Sequence, residues 1–324
     1  MGRALLGLAQ LLVLALGSGA LGAVINVETA GVKADDMSLD QCIANTAVLN
    51  QTLAALQPYD VLYFPNSTFC FMGGIYAREL KHNVIKIDGT MFFSDNQKVW
   101  PRDPSGQVHE CILMDNLHNV TFTSSHQGLI NGNGEAWWGA VKYLEIGENR
   151  PRLLHITNSS TLLFQYLFFK NSPYWNVLLD DVADVEIHDC RVDARRDNAD
   201  FHDLYDMTAF NTDGFDVAGK NIYIHDVDIW NDDDCIAVKE QTGASHQSTC
   251  SENMLFERIN ASGVGLTIGS IGASDAHTCV RNITFRDSVM YDTFKGIYLN
   301  GPFGSAPSRR ATLMPAPCFG PRTP

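Results

Sequence analysis

Two acidic segments lie close together in this chain. Asn211-Thr212-Asp213-Gly214-Phe215-Asp216 is followed by Asn231-Asp232-Asp233-Asp234-Cys235. If the segments sit on adjacent strands, about 4.8 Å apart, Asp213 stands over one of the three aspartates. Carboxylates that close repel, and at least one then holds its proton. A protonated acid beside ionised carboxylates is what glycoside hydrolysis requires: one group protonates the leaving oxygen and another activates water. Two other readings remain open at this point. Clustered acids also suit calcium, and single Asx residues serve as turn caps. Strict strand alternation would put Asp233 on the face opposite Asp232 and Asp234. Both members of a catalytic pair reach one cleft only if a turn or bulge intervenes.

The surrounding pattern is β-rich and repetitive. Short runs begin at Asn119, Thr161, Asp184, Asn221, Asn253 and Asn282, with starts 42, 23, 37, 32 and 29 residues apart. Each has a polar first residue, alternating apolar positions and then turn residues, which marks half-buried strands. A loose repeat of this length without helical pattern means a solenoid, propeller or sandwich. The uneven spacing disfavours a propeller. The expected fold is all-β, a right-handed parallel β-helix whose coils are stable only when stacked. Leu39, Ile43, Val48, Leu49, Leu53 and Leu56 form a helical stripe, expected to be an N-terminal capping helix.

Residues 1–22 read as a signal peptide, with Arg3 before an apolar run and small residues after it. The run is too short to span a bilayer, so no membrane attachment is expected after cleavage and the protein is expected outside the cell. A net charge of −14 excludes nucleic acid as a partner. The 8 cysteines then read as disulfide formers. Cys235 with Cys250 is the preferred pair and Cys42 with Cys70 the second. Sequons at Asn50, Asn66, Asn119, Asn158, Asn260 and Asn282 are glycosylation candidates.

The combined motifs resemble the polygalacturonases of glycoside hydrolase family 28. Asn211-Thr-Asp-Gly214 and Asp233-Asp234-Cys235 match the family's acidic motifs, with Asp232 where many members have Gln. Gly128 to Trp138 and Asn171 to Asn176 match two further family segments, and the likeness runs from about Leu39 to Asn300. The resemblance implies a parallel β-helix domain over residues 23–300 that hydrolyses α-1,4-galacturonosyl bonds of pectin with inversion. It places the general acid on Asp233 and water activation on Asp213 and Asp234. An inverting pair is expected to stand about 6.5–9.5 Å apart. Neither metal nor cofactor is implied. The expected partner is a pectic polysaccharide acted on by a monomer.

Two departures bear on specificity. The family's Gly-His-Gly is Gly263-Val264-Gly265, and its Arg-Ile-Lys aligns with Tyr298-Leu299-Asn300. A galacturonate carboxylate needs a cationic partner, so Lys239 and Lys295 become substrate-binding candidates, with Tyr298 and loop residue His246. Trp137, Trp138, Tyr174 and Trp175 either stack on sugars or pack the core. Lys295-Gly-Ile-Tyr-Leu299 resembles exo-acting or rhamnogalacturonan-directed members. The alternatives are a rhamnogalacturonan hydrolase, a non-catalytic carbohydrate-binding β-helix and a calcium-dependent lyase. Residues 301–324, rich in Pro and Arg, do not continue the strands and read as a disordered tail of a C-terminally incomplete domain.

Overall fold

A computed structural model describes residues 22–139, 148–196, 206–241, 249–272 and 279–301. The leader expected over 1–22, the tail expected over 301–324 and His246 lie outside the described residues, apart from Gly22 and Gly301.

Alternation along each short run becomes one buried and one outward row. Val61–Phe64 and Val84–Ile87 bury every second residue. Such strands cannot cover their own edges, so each pairs with its equivalent in the next coil, in parallel. Among the described residues twenty strands join this way into a right-handed parallel β-helix. Three ladders run along its axis. The first climbs from Val24–Asn26 through Val61–Phe64, Val84–Ile87 and His118–Thr123. The second contains Thr68–Phe71, Thr90–Phe93, Gly128–Asn131 and Leu167–Lys170. The third starts with Ile75–Arg78 and Ile112–Asp115 and ends with Asp234–Val238, Gly265–Gly269 and Ile297–Asn300. From Leu154–Gln165 onward one long strand turns the corner and serves the third and first ladders together.

The polar residue that opens each repeat is the corner residue. Asn119, Thr161, Asp184, Asn221, Asn253 and Asn282 all have φ between 54° and 57°. Asn and Asp tolerate this left-handed conformation better than most residues. Their side chains also bond up the stack: Asn221 Nδ2 donates to Asp184 Oδ1 at 2.8 Å, and Asn282 Nδ2 to Asn253 Oδ1 at 2.8 Å. Inside the coil, like residues stack, as with the Phe122 and Phe164 rings, 4.5 Å apart. Each such burial contributes about 1.5–3 kcal/mol.

The expected cap is α1, Leu39–Ala55, which starts at Ser38, whose Oγ accepts from the Gln41 N–H. Cys42, Leu49 and Leu53 are buried against the first coils. Asn45 Nδ2 donates to the Cys70 carbonyl at 3.0 Å and Thr46 Oγ1 to the Met72 carbonyl at 3.1 Å. Polar residues thus satisfy the coil backbone where the helix covers it. Cys42–Cys70 forms as expected and ties helix to coil.

The pair Cys235–Cys250 does not form. Cys250 bonds to Cys279 on the next coil, with Cα atoms 4.7 Å apart. The reason is register: Ser251 pairs with Val280, so the preceding cysteines stack. Cys235 is fully buried and its thiol donates to Asn231 Oδ1. Trp137 and Trp138 are also buried, Trp138 donating to the Ser172 carbonyl, so both are packing residues and not sugar platforms. Of the sequons, Asn50 uses both amide atoms, toward the Gly74 carbonyl and the Tyr76 N–H. Asn66 is exposed. In the last described coil, Ile297 and Leu299 are 46% and 53% exposed.

Candidate active site

The third ladder lays out the site. Leu154 pairs with Ile112 and Val177, and Val177 with Phe215. Phe215 pairs with Ile236, Ile236 with Leu266, and Leu266 with Ile297. Two positions before the first five of these residues lies one column along the helix axis: Glu110, Arg152, Trp175, Asp213, Asp234; past Asp234 the register slips, so that Val264 follows Asp233, to whose carbonyl its N–H donates at 2.7 Å, and Lys295 follows Val264. One position after each of these ladder residues, on the outward face, lies a second: Leu113, His155, Leu178, Asp216, Ala237, Thr267, Tyr298. Adjacent members are about 4.8 Å apart. Asp213 and Asp234 are therefore neighbours because their strands pair.

Asp233 joins them through an irregularity. Asn231 to Asp233 precede the strand, and the register slips between Asp234 and Ile236. Carboxylate oxygens of Asp213, Asp233 and Asp234 lie within 4.8 Å of one another. Asn231 holds the turn, its amide donating to the Thr212 and Asp234 carbonyls, both at 2.9 Å. Gly263 permits the next coil to approach, since a Cβ there would lie 2.2 Å from Asn231 Oδ1. Asp233 Oδ2 accepts from the Asn211 N–H at 3.0 Å, and its Oδ1 from the Asp234 N–H at 2.8 Å. Tyr298 donates its hydroxyl to Asp234 Oδ1. Asp213 Oδ1 is buried with no hydrogen-bond partner among the described residues.

Burial dominates the electrostatics. It raises Asp213 well above the usual carboxylate range, with Asp216 and Asp233 adding repulsion. Burial brings Asp234 up to about 7, against the lowering effect of the Tyr298 hydroxyl. Asp233 is raised by burial too, but donors from Asn211 and Asp234 oppose it. Asp216 reaches about 6, held down by Lys239, whose Nζ is 3.0 Å from Asp216 Oδ1. Outside the trio, Asp232 is pushed by burial to about 7. At neutral pH the cluster therefore retains protons, the condition for acid catalysis.

The model for glycosyl hydrolases family 28 matches residues 76–303. The chain belongs to this family. A probable endopolygalacturonase I of Aspergillus niger is 30% identical over 181 residues, 55% of this chain and 44% of the relative. A probable endopolygalacturonase I of Aspergillus flavus is 31% identical over 194 residues, 59% of this chain and 47% of the relative. The chain thus spans about half the length of these curated relatives. Two solved structures share the fold. The endo-xylogalacturonan hydrolase of Aspergillus tubingensis superposes with a TM-score of 0.65 at 23% identity, covering 87% of this chain and 69% of that one. The polygalacturonase of Erwinia carotovora gives 0.65 at 19%, covering 88% and 74%.

Within this family-28 site the structure brings Asp213, Asp233 and Asp234 together. It assigns other partners to the binding candidates. Lys239 is engaged by buried Asp216, and Tyr298 bonds Asp234. Lys295 is exposed, its Nζ 4.2 Å from the Tyr298 ring centroid. Val264, in place of the family histidine, is nearly buried, and its N–H donates to the Asp233 carbonyl at 2.7 Å. Four neighbours went unrecognised in the sequence: Asp216, Glu110, Arg152 and His155. Only the first carried a signal, its place in Asn211-Thr-Asp-Gly-Phe-Asp216.

Proposed function

We propose that this chain is a secreted hydrolase of pectic polysaccharides, acting as a monomer on α-1,4-galacturonosyl bonds with inversion. The observation that carries the reading is the trio of buried, proton-retaining carboxylates on the β-helix face. Asp233 is the most accessible of the three and delivers a proton to the leaving oxygen. Asp213 and Asp234 flank the position where water attacks, and the one that is ionised takes its proton. The two disulfides among the described residues suit an oxidising compartment.

Asp233→Asn should reduce turnover about 10²–10⁴-fold with the fold intact, since an amide donates no acidic proton. Proton NMR of the first product should show the inverted anomer. A product of retained configuration would overturn the inverting assignment and make one of the trio a nucleophile. Chain-end cleavage rests on the resemblance of the Lys295 to Leu299 pattern, whereas the curated relatives are named as endo-acting. Product sizes from a long galacturonan separate the two: monomer alone for exo, a spread of oligomers for endo.

A further inference from the structure

The column that carries Asp213 and Asp234 continues toward the N-terminus, two further coils follow the slip on the C-terminal side, and the charge differs on the two sides. Toward the N-terminus come Trp175, Arg152 and Glu110. Arg152 Nη1 forms an ion pair with Glu110 Oε1, while its backbone N–H donates to Glu110 Oε2 at 2.5 Å. Lys239 is likewise taken by Asp216 at 3.0 Å. Both cations rest on the Trp175 ring, 4.7 and 5.0 Å from its centroid, which fixes their stems in these pairs. Asp180 lies within electrostatic reach of Arg152 as well. His155 adds no cation, because burial and Arg152 lower it to about 4. Toward the C-terminus come uncharged Val264 and then Lys295. Lys295 lies within electrostatic reach of Asp233, but among the described residues no carboxylate is in ion-pair contact with it, and it faces outward over Tyr298.

We propose that the cleft binds a chain with an uncharged pyranosyl unit on the Arg152 side of the cleavage point and a uronate on the Lys295 side. The proposal rests on the pectic reading above. A pyranosyl unit is comparable in length to one rung, so a chain along the axis places successive units over successive column members. A uronate beside Trp175 and Arg152 would meet cations already neutralised, and Glu110 and Asp180 besides. Like charges so placed disfavour binding, whereas the ion pair offers hydroxyls both donors and acceptors. On the other side Lys295 is available to a carboxylate. The uncharged unit is either a methyl-esterified galacturonyl residue or a neutral sugar alternating with galacturonate. The shared chemistry is the missing charge.

The test is calorimetric binding to the full chain carrying Asp233→Asn, so that hydrolysis does not intrude. Three probes are compared: galacturonate oligomers, the same oligomers partly methyl-esterified, and rhamnogalacturonan oligomers. One of the last two should bind about tenfold tighter than the first, and which one does so identifies the uncharged unit. Adding Glu110→Gln releases the Arg152 guanidinium and should narrow this gap by improving the free-acid probe. Adding Lys295→Met, a surface change that spares the fold, should weaken all three. Tightest binding of the free-acid oligomers, or a gap unmoved by Glu110→Gln, overturns the asymmetry and leaves the pectic reading in place. A folded chain that binds none of the probes overturns both. Binding in the proposed order with no hydrolysis by the unsubstituted chain overturns only the catalytic reading.

Discussion

Replacing Tyr298 by Phe removes one hydroxyl and little else. That hydroxyl donates to Asp234 Oδ1 and is the main influence holding Asp234 down against burial. Asp234 titrates at about 7 among Asp213, Asp216, Asp233, Lys239 and Tyr298. A hydrogen bond to a charged acceptor is worth about 1.5–3 kcal/mol, and one pKa unit corresponds to about 1.4 kcal/mol. The phenol is half-exposed and water replaces part of the bond, so the lower end applies and the shift is about one unit upward. If Asp234 must be ionised to take a proton from water, activity rises with pH through its pKa. The limb of log(kcat/KM) that rises with pH should therefore move about one unit to higher pH in Tyr298→Phe, with the plateau nearly kept. The assay is reducing-sugar release across pH 4–9 on a pectic substrate. A limb that stays in place, or moves to lower pH, refutes the assignment of Asp234 as a base tuned by Tyr298.

The same buried acids fix the sign of the pH dependence of stability. Asp213, Asp216, Asp232 and Asp234 are raised in the folded chain. The folded state therefore binds more protons than the unfolded one between about pH 4 and 7. Stability should rise as pH falls through that window, read as a higher Tm at pH 5 than at pH 7. Asp213→Asn should abolish turnover yet raise stability at pH 7 by at least about 1 kcal/mol, since the amide is neutral without the cost of keeping a buried carboxyl protonated well above the pH at which the unfolded chain releases that proton. A melting curve that drops in this variant would contradict the burial argument. Cys42→Ser opens a loop of 28 residues and should cost about 3 kcal/mol, measured by denaturant unfolding. In a glycosylating host Asn66 should carry glycan and Asn50 should not, because Asn50 spends its amide on the coil backbone; peptide mass mapping decides this.

Much of the architecture was legible in the chain alone. The helix over Leu39–Ala55 and the strands opening at Asn119, Asn221, Asn253 and Asn282 follow from local periodicity, which acts between near neighbours. The corner role of those Asn residues was hidden, because a left-handed φ is a property of the backbone and not of a pattern of polarity. The acidic motifs pointed to Asp213, Asp233 and Asp234 as candidates, since they lie within two short segments. Their convergence was not readable there. Strict alternation would have turned Asp233 away, and only the turn at Asn231 and the slip before Ile236 bring it round.

Everything that depends on register across coils was decided by the tertiary structure. Stacking, not proximity in sequence, pairs Cys250 with Cys279, 29 residues on, and leaves Cys235, only 15 residues before Cys250, in the core. The same stacking delivers Glu110 to Arg152 and Asp216 to Lys239, so that Lys239, expected to bind substrate, is already paired. It also leaves Lys295 without such a partner among the described residues. A one-residue change of register would alter every one of these contacts without changing a local pattern. Residue types announce which chemistry is present in this chain; parallel stacking decides which of those groups meet.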